Sequence, residues 1–312
     1  MKPDHVTLFG VPLDLGAKNL GVSIGPDAFR HQKIAEKLGS VGFQVHDSGN
    51  IKVRDHTEIE VGSPRLRYLD EIVRVNREVA ERTEAALRDG NRVVVLGGDH
   101  SISLGAASGA SVALAGNLGL VYFSAHGDLN TDQTTLTGNI HGMQLAALLG
   151  LGHQDLVQLH NPQTKLDKAN VLHIGGSNFD PLELDLIERE HIHMFTLFDL
   201  LSNGLAAAFA KLDAIMAQVP NVWVSLDVDV IDRLYAPGAG MPNNKGLTYR
   251  EISALAEYVG KHSNVVGLDL VEYSPLQDEQ RKTAELGIEL ITTFLGKNYS
   301  WYSGYLEENR IG

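Results

Sequence analysis

Seven short apolar runs rich in Val, Ile and Leu recur along this chain, beginning near Val6, Val93, Gly119, Val171, His193, Val222 and Val265. Runs of that length, apolar at consecutive positions, read as strands buried on both faces, the habit of a parallel sheet covered by helices. Helical patterns fill the intervals. One runs from Tyr68 to Arg88 and closes at Gly90, and another runs from Leu205 to Gln218 ahead of Pro220. A third is opened by the capping box Thr248-Tyr249-Arg250-Glu251 before Ile252, Leu255 and Ala256. The stretch from Ser101 to Ala125 carries no charge and has nearly the length of a membrane span, but Gly105, Gly109, Gly116, Asn117 and Gly119 divide it into a buried helix, a turn and a buried strand. Strand and helix alternate with no Pro/Ser-rich linker. The expectation is therefore an α/β fold, a single domain over residues 1–312, in three layers with a central mostly parallel sheet and helices on both faces. Ligands of such sheets gather beyond the carboxyl ends of the strands.

The chain has 26 basic and 39 acidic residues, a formal charge of -13, which speaks against nucleic acid as a partner and suits a cationic ligand, although much of this charge is solvated surface. It has no cysteine, so disulfides, thiolate nucleophiles and iron–sulfur clusters are excluded, and any metal site must use His, Asp and Glu. Met1-Lys2-Pro3-Asp4-His5 leads into the strand-like Val6 to Val11 without the apolar core of a secretion signal, so a cytoplasmic protein with no membrane partner is expected.

Three of the apolar runs finish in metal-type donors: Gly97-Gly98-Asp99-His100-Ser101, Ser124-Ala125-His126-Gly127-Asp128 and Ser225-Leu226-Asp227-Val228-Asp229. In an extended chain side chains alternate faces, so Ser124, His126 and Asp128 point one way, and Asp227 and Asp229 point together. A pair of hard to borderline cations takes several carboxylates and imidazoles from one side. A lone buried His or Asp is more often a hydrogen-bonded structural group, but three converging segments favour ligands.

These segments resemble the hallmarks of the arginase family of manganese-dependent ureohydrolases, which includes arginase, agmatinase and formimidoylglutamase. The likeness runs from Gly25-Pro26-Asp27-Ala28 to Thr283-Ala284-Glu285-Leu286. It implies two manganese ions, one held by His100, Asp128 and Asp227, the other by His126, Asp227 and Asp229, with Asp227 bridging. It further implies that Glu272, in Val271-Glu272-Tyr273-Ser274-Pro275, pairs with a guanidinium, and that His141, in Gly138-Asn139-Ile140-His141-Gly142, shuttles a proton to the leaving amine. Alternatives stay open at both: Arg281 is a structural partner for Glu272, and His141 could be a solvated imidazole at a helix start. The loop from Asn130 to Asn139 resembles the arginase version. By that likeness Asn130, Thr137 and Asn139 neighbour the α-carboxylate of L-arginine, with Asp180 and Glu183 near its α-amino group; a polar surface loop is the other reading. The family likeness also implies a homotrimer or homohexamer.

One position departs. Where the family has the first Asp of Asp-Ala-His-x-Asp, this chain has Ser124, so the site keeps Asp128, Asp227 and Asp229 but loses one carboxylate that would touch both ions. Met241 and Arg233 also replace residues common in arginases, a small polar residue and a proline. The expectation is arginine hydrolysis at a weakened metal site, with Asp132 the nearest group to take over the bridge. The alternative is a metal-depleted, inactive homologue acting as a binding or regulatory protein.

Overall fold

The computed structural model describes residues 4–17 and 20–298. Residues 1–3, from which the absence of a secretion signal was partly read, and the end of the expected domain at 299–312 lie outside the described residues.

Eight strands form one sheet in the order β2-β1-β5-β10-β9-β6-β7-β8: β1 (His5–Val11), β2 (Gln44–Asn50), β5 (Arg92–Gly97), β6 (Gly119–Phe123), β7 (Val171–Ile174), β8 (Met194–Phe195), β9 (Asn221–Asp227) and β10 (Asn264–Val271). Every pairing in it is parallel. A separate antiparallel ribbon pairs β3 (Gly62–Ser63) with β4 (Leu66–Arg67). Both faces of the sheet are covered. Val94 and Leu96 of β5 join the core formed with Leu200, Leu212, Ile252, Leu255, Ile288 and Ile291. Val93 and Val95 point the other way, into the core formed with Ile72, Val75, Val79, Leu104 and Ala107. Alternate residues are thus buried on opposite faces, which is why the strands read as unbroken apolar runs.

All seven anticipated strands are present. The eighth, β2, escaped notice because it is an edge strand: none of its seven residues is buried, so selection for apolar side chains is absent there. The helix expected from Leu205 begins earlier, spanning Leu197–Met216 with a non-helical break at Gly204 (φ 75°, ψ 176°) that a residue with a Cβ adopts only under strain. The capping box at Thr248 forms as expected and opens the helix Tyr249–His262. Among the described residues no helix is long and apolar enough to cross a membrane. The loop after β5 passes so near β1's loop that a Cβ on Gly98 would lie 1.8 Å from the Leu13 carbonyl oxygen. Glycine there lets the next residues, Asp99 and His100, turn into the crevice at the strand ends.

Candidate metal centre and substrate cavity

Four adjacent strands, β5, β10, β9 and β6, deliver their carboxyl ends to one place. After β5, Asp99 caps a short 3-10 turn by accepting the Ser101 N–H, and His100 opens that turn. After β6 the chain leaves the extended state: Ser124 Oγ accepts the His126 N–H at 3.1 Å, and Asp128 has φ 54°. After β9, Val228–Val230 form another 3-10 turn, in which Asp227 Oδ1 accepts the Asp229 N–H at 2.8 Å. The donors therefore gather through tight turns, not through the two-residue alternation of extended chain. Glu272 follows β10 at φ 61°.

The donor atoms face one another. His100 Nδ1 lies 3.3 Å from Asp128 Oδ2 and 3.2 Å from Asp227 Oδ2. His126 Nδ1 lies 2.7 Å from Asp229 Oδ2, whose other oxygen accepts the Ala125 N–H at 2.9 Å. Behind His100, Nε2 lies 2.9 Å from Ser225 Oγ, which donates to Asp269 at 2.8 Å; Asp269 also accepts Trp223 Nε1–H at 2.6 Å. Such a chain fixes the ring so that Nδ1 faces the carboxylates. Burial opposes the charge on His100, but Asp128 and Asp227 raise its pKa well above the imidazole range. Burial likewise opposes His126, whose pKa Asp229, Asp128 and Asp227 push up to about 10. Asp128 is held low against burial by His100 and His126, whereas burial and the neighbouring Asp229 hold Asp227 well above the carboxylate range. Nitrogen and oxygen donors of this kind are those manganese takes. Among the described residues, however, no three His, Asp or Glu side chains stand ready as a cage on their own.

Glu272 Oε1 accepts the His100 N–H at 2.9 Å and lies 3.2 Å from His141 Nδ1. Its partner is thus a histidine; Arg281 reaches Gln32 and Glu285 instead. Burial opposes a charge on His141, but Glu272 raises its pKa to about 9, so it is no freely solvated imidazole.

A cavity of about 380 Å³ opens over these groups. His126, Asp128, Asp227, Asp229, His141 and Glu272 line it, and so do Asn130, Thr137, Asn139, Asp180 and Glu183, with Met241 at its wall. The loop from Asn130 to Asn139 is therefore no indifferent surface segment. Asn130 Nδ2 donates to Asp180 Oδ2 at 2.9 Å, and the two Glu183 oxygens accept the N–H groups of Leu129 and Asp180 at 3.0 and 2.9 Å. Burial lifts the Glu183 pKa to about 7. His100 and Ser124 do not line the cavity: both are buried, at 1% and 0% exposure. Asp132 is not among the lining residues either; its carbonyl accepts from Arg65. The sequence reading missed Tyr122, whose hydroxyl donates to Asp128 Oδ2 at 2.8 Å. The same alternation that grouped Ser124 with the donors would have pointed to Tyr122, two residues earlier on β6.

The sequence profile described as the arginase family matches residues 4–296. The chain is similar to the arginase of Brevibacillus brevis, 36% identical over 94% of this chain and 98% of that one. It is 33% identical to the arginase of Bacillus subtilis strain 168, over 94% and 98% of the two chains. Among solved structures it resembles the native arginase of Bacillus caldovelox at pH 5.6, with a TM-score of 0.90 and 33% identity over 95% of this chain and all of the other.

Proposed function

The chain belongs to the arginase family of ureohydrolases, and on that premise we propose that it hydrolyses the guanidinium group of L-arginine to L-ornithine and urea, with manganese at a site one carboxylate short. The observation that carries this reading is one cavity lined both by Glu272 and His141 and by Asn130, Thr137, Asn139, Asp180 and Glu183. The first pair suits a guanidinium and the second group a zwitterionic head. His100, Asp128 and Asp227 would hold one ion, and His126, Asp227 and Asp229 the other. A bound pair would supply a hydroxide nucleophile near neutral pH.

The rest falls to the chain's own side chains. Glu272 pairs with the guanidinium and holds its carbon over the donors, while Asn130, Thr137 and Asn139 take the α-carboxylate and Asp180 the ammonium. His141, kept protonated at neutral pH by Glu272, gives its proton to the departing δ-nitrogen of ornithine. The same likeness supports a cytoplasmic homotrimer or homohexamer. Urea release from arginine and from agmatine, each with added manganese, tests the reading: arginine should be the better substrate, and equal rates would remove Asn130, Thr137 and Asn139 from the substrate site. The pairwise closure of the donors and the neutral Ser124 support a second reading, a metal-depleted protein that binds the substrate's class without turnover. Absence of urea from protein supplied with excess manganese would favour it.

A further inference from the structure

Residues 130–139, which carry Asn130, Thr137 and Asn139 to the cavity, belong to no helix or strand, so local contacts alone set where those side chains point. Within this loop the Thr131 carbonyl accepts the N–H groups of Thr134 and Thr135 at 3.2 and 2.9 Å, which closes a turn over 132–134. Thr134 Oγ1 accepts the Thr131 N–H at 2.8 Å and donates to Asn130 Oδ1 at 3.0 Å. The turn therefore orients the Asn130 amide, whose nitrogen already donates to Asp180. The next two carbonyls of the turn, those of Asp132 and Gln133, are taken by one atom from outside the loop, Arg65 Nη1, at 3.0 and 2.8 Å.

Arg65 stands at the tip of the ribbon formed by β3 and β4, and both hydrogen bonds of its side chain go to the loop. The same ribbon holds the loop's other end. The Arg67 N–H donates to the Gly138 carbonyl at 3.0 Å, and a Cβ on Gly138, which has φ 73°, would lie 1.9 Å from the Pro64 carbonyl oxygen. Two grips, at 132–133 and at 138, thus bracket the donors of the loop. Hydrogen bonds from a guanidinium are roughly twice as strong as neutral ones, and a loop ordered in advance does not charge its ordering to the ligand it meets. We propose that Arg65 is a positioning residue for substrate selection: by holding the 132–134 turn it presets Asn130, and with the Arg67 grip Thr137 and Asn139, for an α-carboxylate. The inference rests on the reading that this loop takes the carboxylate of arginine. A loosened loop should cost arginine affinity, while agmatine, which has no carboxylate, loses nothing.

The test compares the full chain with Arg65→Ala and Arg65→Lys. Urea release from arginine and from agmatine is followed with excess manganese at low and high salt, and binding of each compound is measured by titration calorimetry. Arg65→Ala should raise KM for arginine about 5–20-fold with kcat within about twofold, and should leave both constants for agmatine unchanged. Arg65→Lys should recover most of the arginine affinity, because one ammonium can serve both carbonyls as Nη1 does. If the parent releases no urea, calorimetry makes the same comparison: arginine should bind Arg65→Ala about 5–20-fold more weakly and agmatine equally well. In a parent that prefers arginine, an equal loss on both compounds, or no loss on arginine, overturns the inference and leaves the substrate reading standing. A loss that disappears at high salt also overturns it, since Arg65 would then attract the carboxylate from a distance instead of holding the loop. A parent that treats arginine and agmatine alike, or binds neither, overturns both.

Discussion

Ser124→Asp places a carboxylate at a position with 0% exposure, beside a cluster that already holds Asp128, Asp227 and Asp229 against His100 and His126. The strand need not move, because serine and aspartate share the same Cβ and either side chain can accept the His126 N–H. Without metal the new charge is buried among like charges, and an incompletely paired buried charge costs about 3–5 kcal/mol, here reduced to roughly 2–3 by the two raised histidines. With metal the sign reverses. If manganese is present at about ten times the dissociation constant of the parent's stronger position, it stabilises the parent by about 1.4 kcal/mol. A bridging carboxylate that tightens the site 100-fold lifts that to about 4 kcal/mol. The variant should therefore melt below the parent in chelator and gain more from manganese. About 1 kcal/mol corresponds to roughly 2 °C for a chain of this size, so the manganese-induced rise should be near 8 °C in the variant against about 3 °C in the parent. Scanning calorimetry with chelator and with manganese, alongside elemental analysis, measures both. Equal manganese-induced shifts in the two proteins would refute the charge argument.

Three further outcomes are expected. Glu272→Gln keeps the shape but cannot pair charge with a guanidinium, so kcat/KM for arginine should fall by an amount worth about 2–4 kcal/mol; an unchanged value would exclude Glu272 from the site. Glu71 is buried, which alone would raise its pKa, but the guanidiniums of Arg74 and Arg54 hold it near about 2. A depressed carboxylate stabilises the fold above its unfolded pKa. The advantage of the parent over Glu71→Gln should therefore be complete at neutral pH, shrink from about pH 4.5 downward and vanish near pH 2. Because Arg54 and Arg74 are 49% and 41% exposed, solvent screening cuts the roughly 3 kcal/mol implied by the full shift to about 1–2. Equal acid denaturation of the two proteins would show that the cluster contributes nothing. Lys165, only 2% exposed, donates to the carbonyls of Val157, Asn161 and Gln163 at 2.7, 2.6 and 2.8 Å, so Lys165→Met should destabilise by about 2–4 kcal/mol in urea unfolding; a loss below about 0.5 would mean water replaces the ammonium.

What the chain's own pattern determined is the sheet and the polar residues that gather at its strand ends. Val93 and Val95 must be buried on one face and Val94 and Leu96 on the other, and only a covered parallel strand satisfies a run like that. Thr248 and Glu251 are three residues apart, near enough for the capping box to be read directly. Edge strand β2 left no such mark, because a strand with no buried residue needs no apolar sequence. Tertiary structure alone decided the pairings: His100 meets Glu272 across 172 residues, Tyr122 finds Gln144 across 22, and Arg54 closes on Glu71 across 17. It also drew Asp227 and Asp229 together by a tight turn where extended chain was expected. The physical reason is one of range. Periodicity and capping record what a residue's neighbours within a few positions require, whereas a hydrogen bond between distant segments depends on where packing of the whole core sets two strand ends, to within tenths of an ångström.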